Sequence, residues 1–282
     1  MKFFIVDCFA QERYEGNQLA VFIADKHLPA TDMQKIAREM NFSEVSFIIS
    51  KKQENEGFDV RIYTPAIEVE FAGHPVLGTA YVIKNYYKLD SRPIKLNLGC
   101  GQIPVSHDGS MYFMIQNQPV FGKIIDKSDA ANALSIDPGA IREDLPVQCV
   151  STGLEAAIIP LKSLDDIARC KVDHTLMPGF HKKWRKCNLL VFAQNSDELR
   201  VRVFMDDPGY LEDPATGSAN GDLAAYLLHY SGLFYTNINY VAMQGIEMGR
   251  PSALYVTGVR ENEKYMIQVG GKVIQIAEGE WL

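Results

Sequence analysis

The stretch Phe71-Ala-Gly-His-Pro-Val-Leu-Gly-Thr-Ala80 decides how the rest of the chain is read. Upstream, Val60, Ile62 and Tyr63 lie in a β-rich run that stops at Thr64-Pro65. Glu68-Val69-Glu70-Phe71 then alternates polar and apolar residues, as a half-buried strand does. Ala72-Gly73-His74 is compact enough for a sharp turn. Pro75 suits the first position of a helix, where the missing N–H has no intrahelical partner anyway. Val76, Leu77, Ala80 and Ile83 recur at helical spacing. The expected unit is strand, turn, helix, and the free N–H groups at the helix start form a seat for a carboxylate or phosphate.

The second half repeats the pattern. Leu199-Arg-Val-Arg-Val-Phe204 alternates like a strand, a short polar segment follows, and then comes Asp213-Pro-Ala-Thr-Gly-Ser218. Leu223, Ala224, Tyr226, Leu227 and Tyr230 recur as a helix, with Thr216 or Ser218 as candidate N-cap and Gly232 as the stop. Gly73-His74 and Gly217-Ser218 thus hold matching places in two units. Two similar domains, each aiming a helix N-terminus into a shared cleft, account for this repeat. Two ordinary strand–helix connections are the plainer alternative.

Composition narrows the function class. The chain has 282 residues, enough for about two domains. A net charge of -7 argues against a nucleic-acid partner, since phosphate backbones need concentrated Lys and Arg. The basic run Lys182-Lys183-Trp184-Arg185-Lys186 is read as a solvated loop or helix end. The five cysteines, Cys8, Cys100, Cys149, Cys170 and Cys187, are scattered and contain no CxxC, which points away from a disulfide framework or zinc site. Asp7 comes too early for a signal peptide, and no apolar run reaches the about 20 residues of a membrane span. A cytoplasmic protein with no membrane partner is expected.

Further along, Lys2 to Phe9 and Leu19 to Ile23 read as strands joined through a Gly16-Asn17 turn. Thr31 is a candidate N-cap for a helix with Met33, Ile36, Ala37 and Met40 on one face, ending near Asn41. Ser43-Glu44 follows, directly before the strand Val45 to Ile49. Glu44 therefore sits at a helix-to-strand junction, where partial burial would raise a carboxylate pKa; a solvated strand-edge glutamate is the alternative. Ile94 to Leu98, Gly101 to Val105 and Met111 to Ile115 read as a meander. Gln116 to Gly122 is the expected link between halves. The mixture is α+β, with much antiparallel strand and few helices.

Several chemistries lack their motifs. Gly99-Cys-Gly101 is not a dinucleotide fingerprint, there is no P-loop, no two histidines share metal-ligand spacing, and Ser218 lacks the Gly-x-Ser-x-Gly elbow of a serine hydrolase. No metal and no organic cofactor is called for. What remains is a carboxylate (Glu44), an imidazole (His74), a second carboxylate (Asp213), a hydroxyl (Ser218) and two helix starts. That set suits proton transfer on a small carboxylate-bearing molecule.

Four blocks carry a family resemblance: Gly16-Asn17-x-x-Ala-Val21, Asn41-Phe-Ser-Glu44, Phe71-Ala-Gly-His-Pro-x-Leu-Gly-Thr79 and Glu212-Asp-Pro-Ala-Thr-Gly-Ser-Ala219. In this order they resemble the phenazine-biosynthesis (PhzF-like) family across nearly the whole chain. Gln18 departs from the proline that the family often has after Gly-Asn. The resemblance implies the diaminopimelate epimerase fold: two pseudo-symmetric domains, each a mixed, mostly antiparallel sheet wrapped around a central helix, with the active site between them. It implies domains at 1–117 plus 271–282 and at 118–270, because the C-terminal strand of that fold returns to the first domain. It makes Glu44 the general acid/base, gives His74 and Asp213 positioning and assisting roles, and lines the pocket with Ser43, Gly73, Gly217 and Ser218. Epimerase relatives place a cysteine at each helix start. This chain has Ala72-Gly73 and Ala215-Thr216 there, so a one-base proton shift is expected in place of two-thiol racemisation. A cofactor-independent isomerase, a homodimer as is common in the family, is the implied reading. A non-catalytic binder of small anions is its alternative.

Overall fold

The computed structural model describes residues 1–24, 28–50, 56–89, 93–173, 175–207, 210–230 and 237–282. The chain divides into two compact units, Met1–Ile115 with Gly270–Leu282, and Gln116–Val269. The stop expected at Gly232 lies outside the described residues.

In the first unit, β1 (Lys2–Cys8) and β2 (Asn17–Ile23) pair antiparallel, and α1 (Ala30–Met40) carries the chain over to β3 (Val45–Ile48), which pairs parallel to β2. β4 (Phe58–Tyr63) is antiparallel to β3 and to the two-residue β5 (Glu68–Val69). The alternation expected through Phe71 therefore stops early. α2 (Gly73–Tyr86) then crosses to β6 (Ile94–Leu98), parallel to β4, and β7 (Gly101–Asp108) and β8 (Met111–Ile115) complete the meander. The last strand of the chain, β17 (Lys264–Glu280), gives its C-terminal part to this unit, pairing with β1 from Lys2↔Glu280 to Cys8↔Val273 and with β8.

The helices sit where their apolar faces demand. α1 buries Met33, Ile36 and Ala37 against Ala20, Phe22, Val45 and Phe47. Beneath it a cross-strand row of rings runs Phe3–Phe22–Phe47–Tyr63 with centroids 5.5, 5.3 and 5.6 Å apart. Such aromatic pairs contribute about 0.5–1.5 kcal/mol each beyond their area. α1 begins one residue before the expected cap: Pro29 takes the cap position with no side-chain bond, so Thr31 lies inside the first turn. Its end at Asn41 is left-handed, with φ 54°. α2 is apolar nearly all round, buries Gly73 to Ala80, Val82 and Ile83, and packs on β1, β2, β3, β6, β7 and β8.

In the second unit, β9 (Val120–Ile125), α3 (Lys127–Ala133), β10 (Val147–Ser151), β11 (Glu155–Pro160), α4 (Leu164–Arg169), α5 (Met177–Trp184), β12 (Asn188–Gln194), β13 (Leu199–Asp207), β14 (Tyr210–Asp213), α6 (Gly217–Tyr230), β15 (Asn237–Gln244) and β16 (Ser252–Glu261) follow in order. β10 pairs antiparallel with both β9 and β11, β13 with both β12 and β14, and β15 with β16. β11 pairs parallel with β12, and β13 parallel with β15. β11 and β12 are buried along almost their whole length, which fits their continuous apolar runs. α6, like α2, is 14 residues long and almost wholly buried, and it packs on β10, β11, β15 and β16. Among the described residues, no helix is long and apolar enough to cross a membrane.

Candidate functional site

Each unit holds one set of the polar groups singled out in the sequence. In the first unit the set is built at the mouth of β2. Gly16 has φ +69°, and a Cβ there would fall 2.3 Å from the carbonyl oxygen of Cys8. Only glycine lets the chain turn this close to β1. The turn delivers Asn17, buried, to the first turn of α2, where its amide nitrogen lies 3.1 Å from His74 Nδ1. The parallel pairing of Ala20 with Val45 brings Ser43 and Glu44 to the same end of β2. Ser43 Oγ donates to Asn17 Oδ1 over 3.5 Å, and Glu44 Oε2 stands 3.5 Å from His74 Nε2. Glu44 is partly buried, with 18% of its side chain exposed, rather than a solvated strand-edge residue.

This order of partners orients the imidazole. Asn17 and the backbone at Gln18 engage the ring, which leaves Nε2 facing Glu44. Burial pushes the His74 pKa down to about 3, with a backbone hydrogen bond to Gln18 acting the other way. At neutral pH the contact therefore joins a neutral imidazole to a carboxyl group and is no ion pair. α2 starts at Gly73, with Ala72 as an extended cap that makes no side-chain bond. Pro75 is thus the third helical residue, not the first, still inside the turn whose N–H groups lack intrahelical acceptors. The fold also brings a cysteine to this helix start that sequence distance hid. Cys8 Sγ donates to the carbonyl of His74 over 3.4 Å. Burial drives that thiol far above the ordinary range, so it cannot serve as a base.

In the second unit Asp213 closes β14, opposite Val203 of β13, and is buried. Tyr210 Oη donates to Asp213 Oδ1 and Thr216 Oγ1 to Oδ2, both over 2.5 Å. Thr216 occupies the cap position of α6: its carbonyl accepts the Asn220 N–H at 3.1 Å. Its hydroxyl goes to Asp213 instead of back to the helix. Ser218 lies in the first turn, next to Gly217, both buried. Gln244, fully buried at the end of β15, holds this turn together. It donates to the carbonyl of Asp213 (2.7 Å) and accepts from Thr216 N (3.2 Å) and Asn220 Nδ2 (2.9 Å).

Sequence reasoning misses Asn17 as a site residue, and misses Tyr210, Asn220 and Gln244 altogether. Asn220 carries a signal, an amide within an apolar helix. Gln244 carries none, since 28 residues separate it from Thr216.

Residues 6–279 match the PhzC/PhzF family, described as phenazine biosynthesis-like protein. The chain belongs to the PhzF family. A trans-2,3-dihydro-3-hydroxyanthranilate isomerase of Pseudomonas fluorescens is 31% identical, over 98% of this chain and 97% of that one. An uncharacterised isomerase of Clostridium acetobutylicum is 32% identical, over 98% and 96%. The crystal structure of a PhzF-family phenazine biosynthesis protein of Bacillus anthracis superposes with a TM-score of 0.90 at 26% identity, covering 100% of this chain and 99% of that chain. This PhzF-family chain is an enzyme of the isomerase class, and its fold is α+β with mixed sheet and few helices.

Proposed function

We propose that this PhzF-family enzyme moves a proton on a small carboxylate-bearing metabolite without a cofactor, with Glu44 as the acid/base. The observation that carries this reading is the contact between Glu44 Oε2 and a neutral, oriented His74. Glu44 removes a proton from carbon and returns it at another position of the same molecule. His74 donates Nε2–H toward the Glu44 carboxylate, and that contact tightens when substrate excludes water. Ser43 supports Asn17 from behind. The start of α2 at Gly73, and that of α6 at Gly217 and Ser218, receive the substrate carboxylate and the charge that develops in the transition state. Asp213, with both oxygens engaged by hydroxyl donors, orients the substrate and assists transfer.

The finer fold assignment belongs to the same proposal. The two halves are pseudo-symmetric domains, each wrapped around its buried 14-residue helix. The similar length and burial of α2 and α6 support it. The homodimer implied by the family is a further element, checked by light scattering of the purified protein.

The experiment is proton exchange in D₂O, followed by NMR, on trans-2,3-dihydro-3-hydroxyanthranilate and a panel of small amino and cyclohexadiene carboxylates. Wild type should isomerise at least one of them, and Glu44→Gln should be slower by about 10²–10⁴-fold, the usual share of a general acid–base group. Equal rates in the two proteins would remove Glu44 from the role. Ligand-dependent stabilisation with no turnover on the whole panel would favour an anion-binding protein instead.

A further inference from the structure

Gln244 ends β15, and the proton-transfer scheme gives it no task. Its side chain is fully buried. Both ends of its amide are engaged, and every partner lies on the turn from Asp213 to Thr216 or in the first helical turn that follows. Two features of the chain bring it there. Gly245, the next residue, has φ +74°, and a Cβ on it would fall 2.4 Å from the Arg250 carbonyl oxygen and 2.6 Å from that of Pro214. Only glycine lets the turn after β15 press this closely on the residue that follows Asp213. Glu247, in the same turn, approaches Arg200 at 3.6 Å and Arg202 at 3.9 Å, and Arg202 holds Glu212, the neighbour of Asp213.

The direction of each bond follows from groups whose roles are fixed. A backbone carbonyl only accepts, and a backbone N–H only donates. The Asp213 carbonyl therefore takes Gln244 Nε2 at 2.7 Å, and Oε1 takes the Thr216 N–H at 3.2 Å. These two bonds settle which end of the amide is nitrogen. The second contact of Nε2, 3.1 Å from Thr216 Oγ1, is then a donation to the hydroxyl. A hydroxyl carries one proton, and that of Thr216 goes to Asp213 Oδ2 at 2.5 Å. The relay runs from the Gln244 amide to the Thr216 hydroxyl to the Asp213 carboxylate. A staple for the loop would need only the two backbone bonds; the third sets the hydroxyl.

We propose that Gln244 is a positioning residue for this enzyme: through the Thr216 hydroxyl it holds the Asp213 side chain in one rotamer. The inference rests on the reading that Asp213 orients the substrate. Without the amide, Thr216 is free to act as a threonine at a helix cap usually does, its oxygen accepting a first-turn N–H of α6. Its proton then leaves Oδ2, and Tyr210 on Oδ1 no longer suffices to fix the carboxylate. Displacing such a group by about 1 Å costs up to about 10²-fold in rate.

The test uses the full chain and has two arms. Gln244→Met keeps the reach of the side chain and removes its bonds. With threonine methyl groups labelled, and the Thr216 signal assigned by its loss in Thr216→Val, three-bond couplings should report one χ1 rotamer in wild type and averaging between rotamers in Gln244→Met. On any substrate that wild type isomerises, Gln244→Met should lower kcat about 10–100-fold and change KM less than about threefold. Thr216→Val keeps the shape and loses the hydroxyl; it should show the same loss, and Thr216→Ser should recover most of it. The double variant should be no slower than Gln244→Met, since both changes break one relay. Should Gln244→Met fail to fold, the contrast between Thr216→Val and Thr216→Ser decides. A single Thr216 rotamer in Gln244→Met, kcat losses that multiply in the double variant, or a lowered Tm with kcat unchanged would each overturn the proposal. No turnover by wild type on any substrate would strike the isomerase reading instead, and the Thr216 rotamer would still decide whether Gln244 sets the hydroxyl.

Discussion

His74 is shut away from water, and that burial outweighs its bond to the Gln18 backbone in setting its charge. Its pKa in the folded protein, about 3, lies below the ordinary value of 6.5. The ring should therefore show no titration between pH 5 and 8 in an NMR experiment on labelled histidine. The same depression makes stability depend on acid: the contribution is complete above 6.5 and is lost as pH falls from there toward 3. His74→Asn should flatten that acid limb in thermal melts. Asn17 acts on this ring from behind. Asn17→Leu removes a polar partner of the ring and should lower the exchange rate with the preferred substrate by about 10–100-fold, mostly in kcat, if His74 assists Glu44. Asp222, fully buried in α6, runs the other way. Burial holds its carboxyl well above the ordinary value, against the Thr152 N–H and hydroxyl that donate to Oδ1 over 2.6 and 2.8 Å. An acid raised on folding loses stability as pH rises past its unfolded value. Asp222→Asn keeps the acceptor for Thr152 and should be more stable at pH 7 by about 1 kcal/mol or more, the advantage shrinking as pH falls toward 4.

At the scale of the element, α2 and β14 show what spacing can and cannot reveal. Gly78 lies mid-helix, and a Cβ there would meet Leu19 Cδ2 at 2.5 Å, Cys8 Sγ at 2.8 Å and Val6 Cγ2 at 3.1 Å. Alanine gains about 1 kcal/mol in helix propensity, but overpacking a buried contact costs about 1–3 kcal/mol. Gly78→Ala should therefore lower Tm by a few degrees. In sequence the stretch between Phe204 and Asp213 reads as a short polar segment, so β14 goes unseen. Arg202 of β13 explains its order: the buried guanidinium makes two bonds to Glu212, 2.8 and 2.7 Å, and donates to the carbonyls of Ile167 and Cys170 at the end of α4, 3.0 Å each. Arg202→Met leaves a carboxylate without its cation and should cost about 3–5 kcal/mol in chemical denaturation, part of it recovered by Glu212→Gln in the same chain. The start of β9 falls within the expected linker, because Pro119 and Gly122 read as breakers. Pro119 in fact precedes the strand, and Gly122 sits in its bulge. α5 escapes sequence reading because Pro178-Gly179 reads as a turn, although proline is tolerated in a helical first turn.

At the scale of the whole molecule, the first unit is assembled from both ends of the chain. β17 covers β1 along its full length, and Trp281 packs edge-on against Phe3 and Phe22 at 6.0 and 5.5 Å. Ending the chain after Val269 strips β1 of one of its two neighbours, so the truncated protein should be insoluble or melt at least about 10 °C lower, because a bared strand edge with apolar neighbours pairs with other chains. The strand–turn–helix units around His74 and Ser218 were legible from residue order alone, since period, breakers and helix starts are local properties of the backbone. So were Glu44 and Asp213 as candidates, through the blocks that carry the family resemblance. Which groups hold the site together was settled only by folding: Asn17 on His74, Cys8 beneath it, Gln244 under Asp213. Those partners lie tens of residues apart, on strands whose register depends on the burial of every side chain along them, and no local spacing encodes that sum.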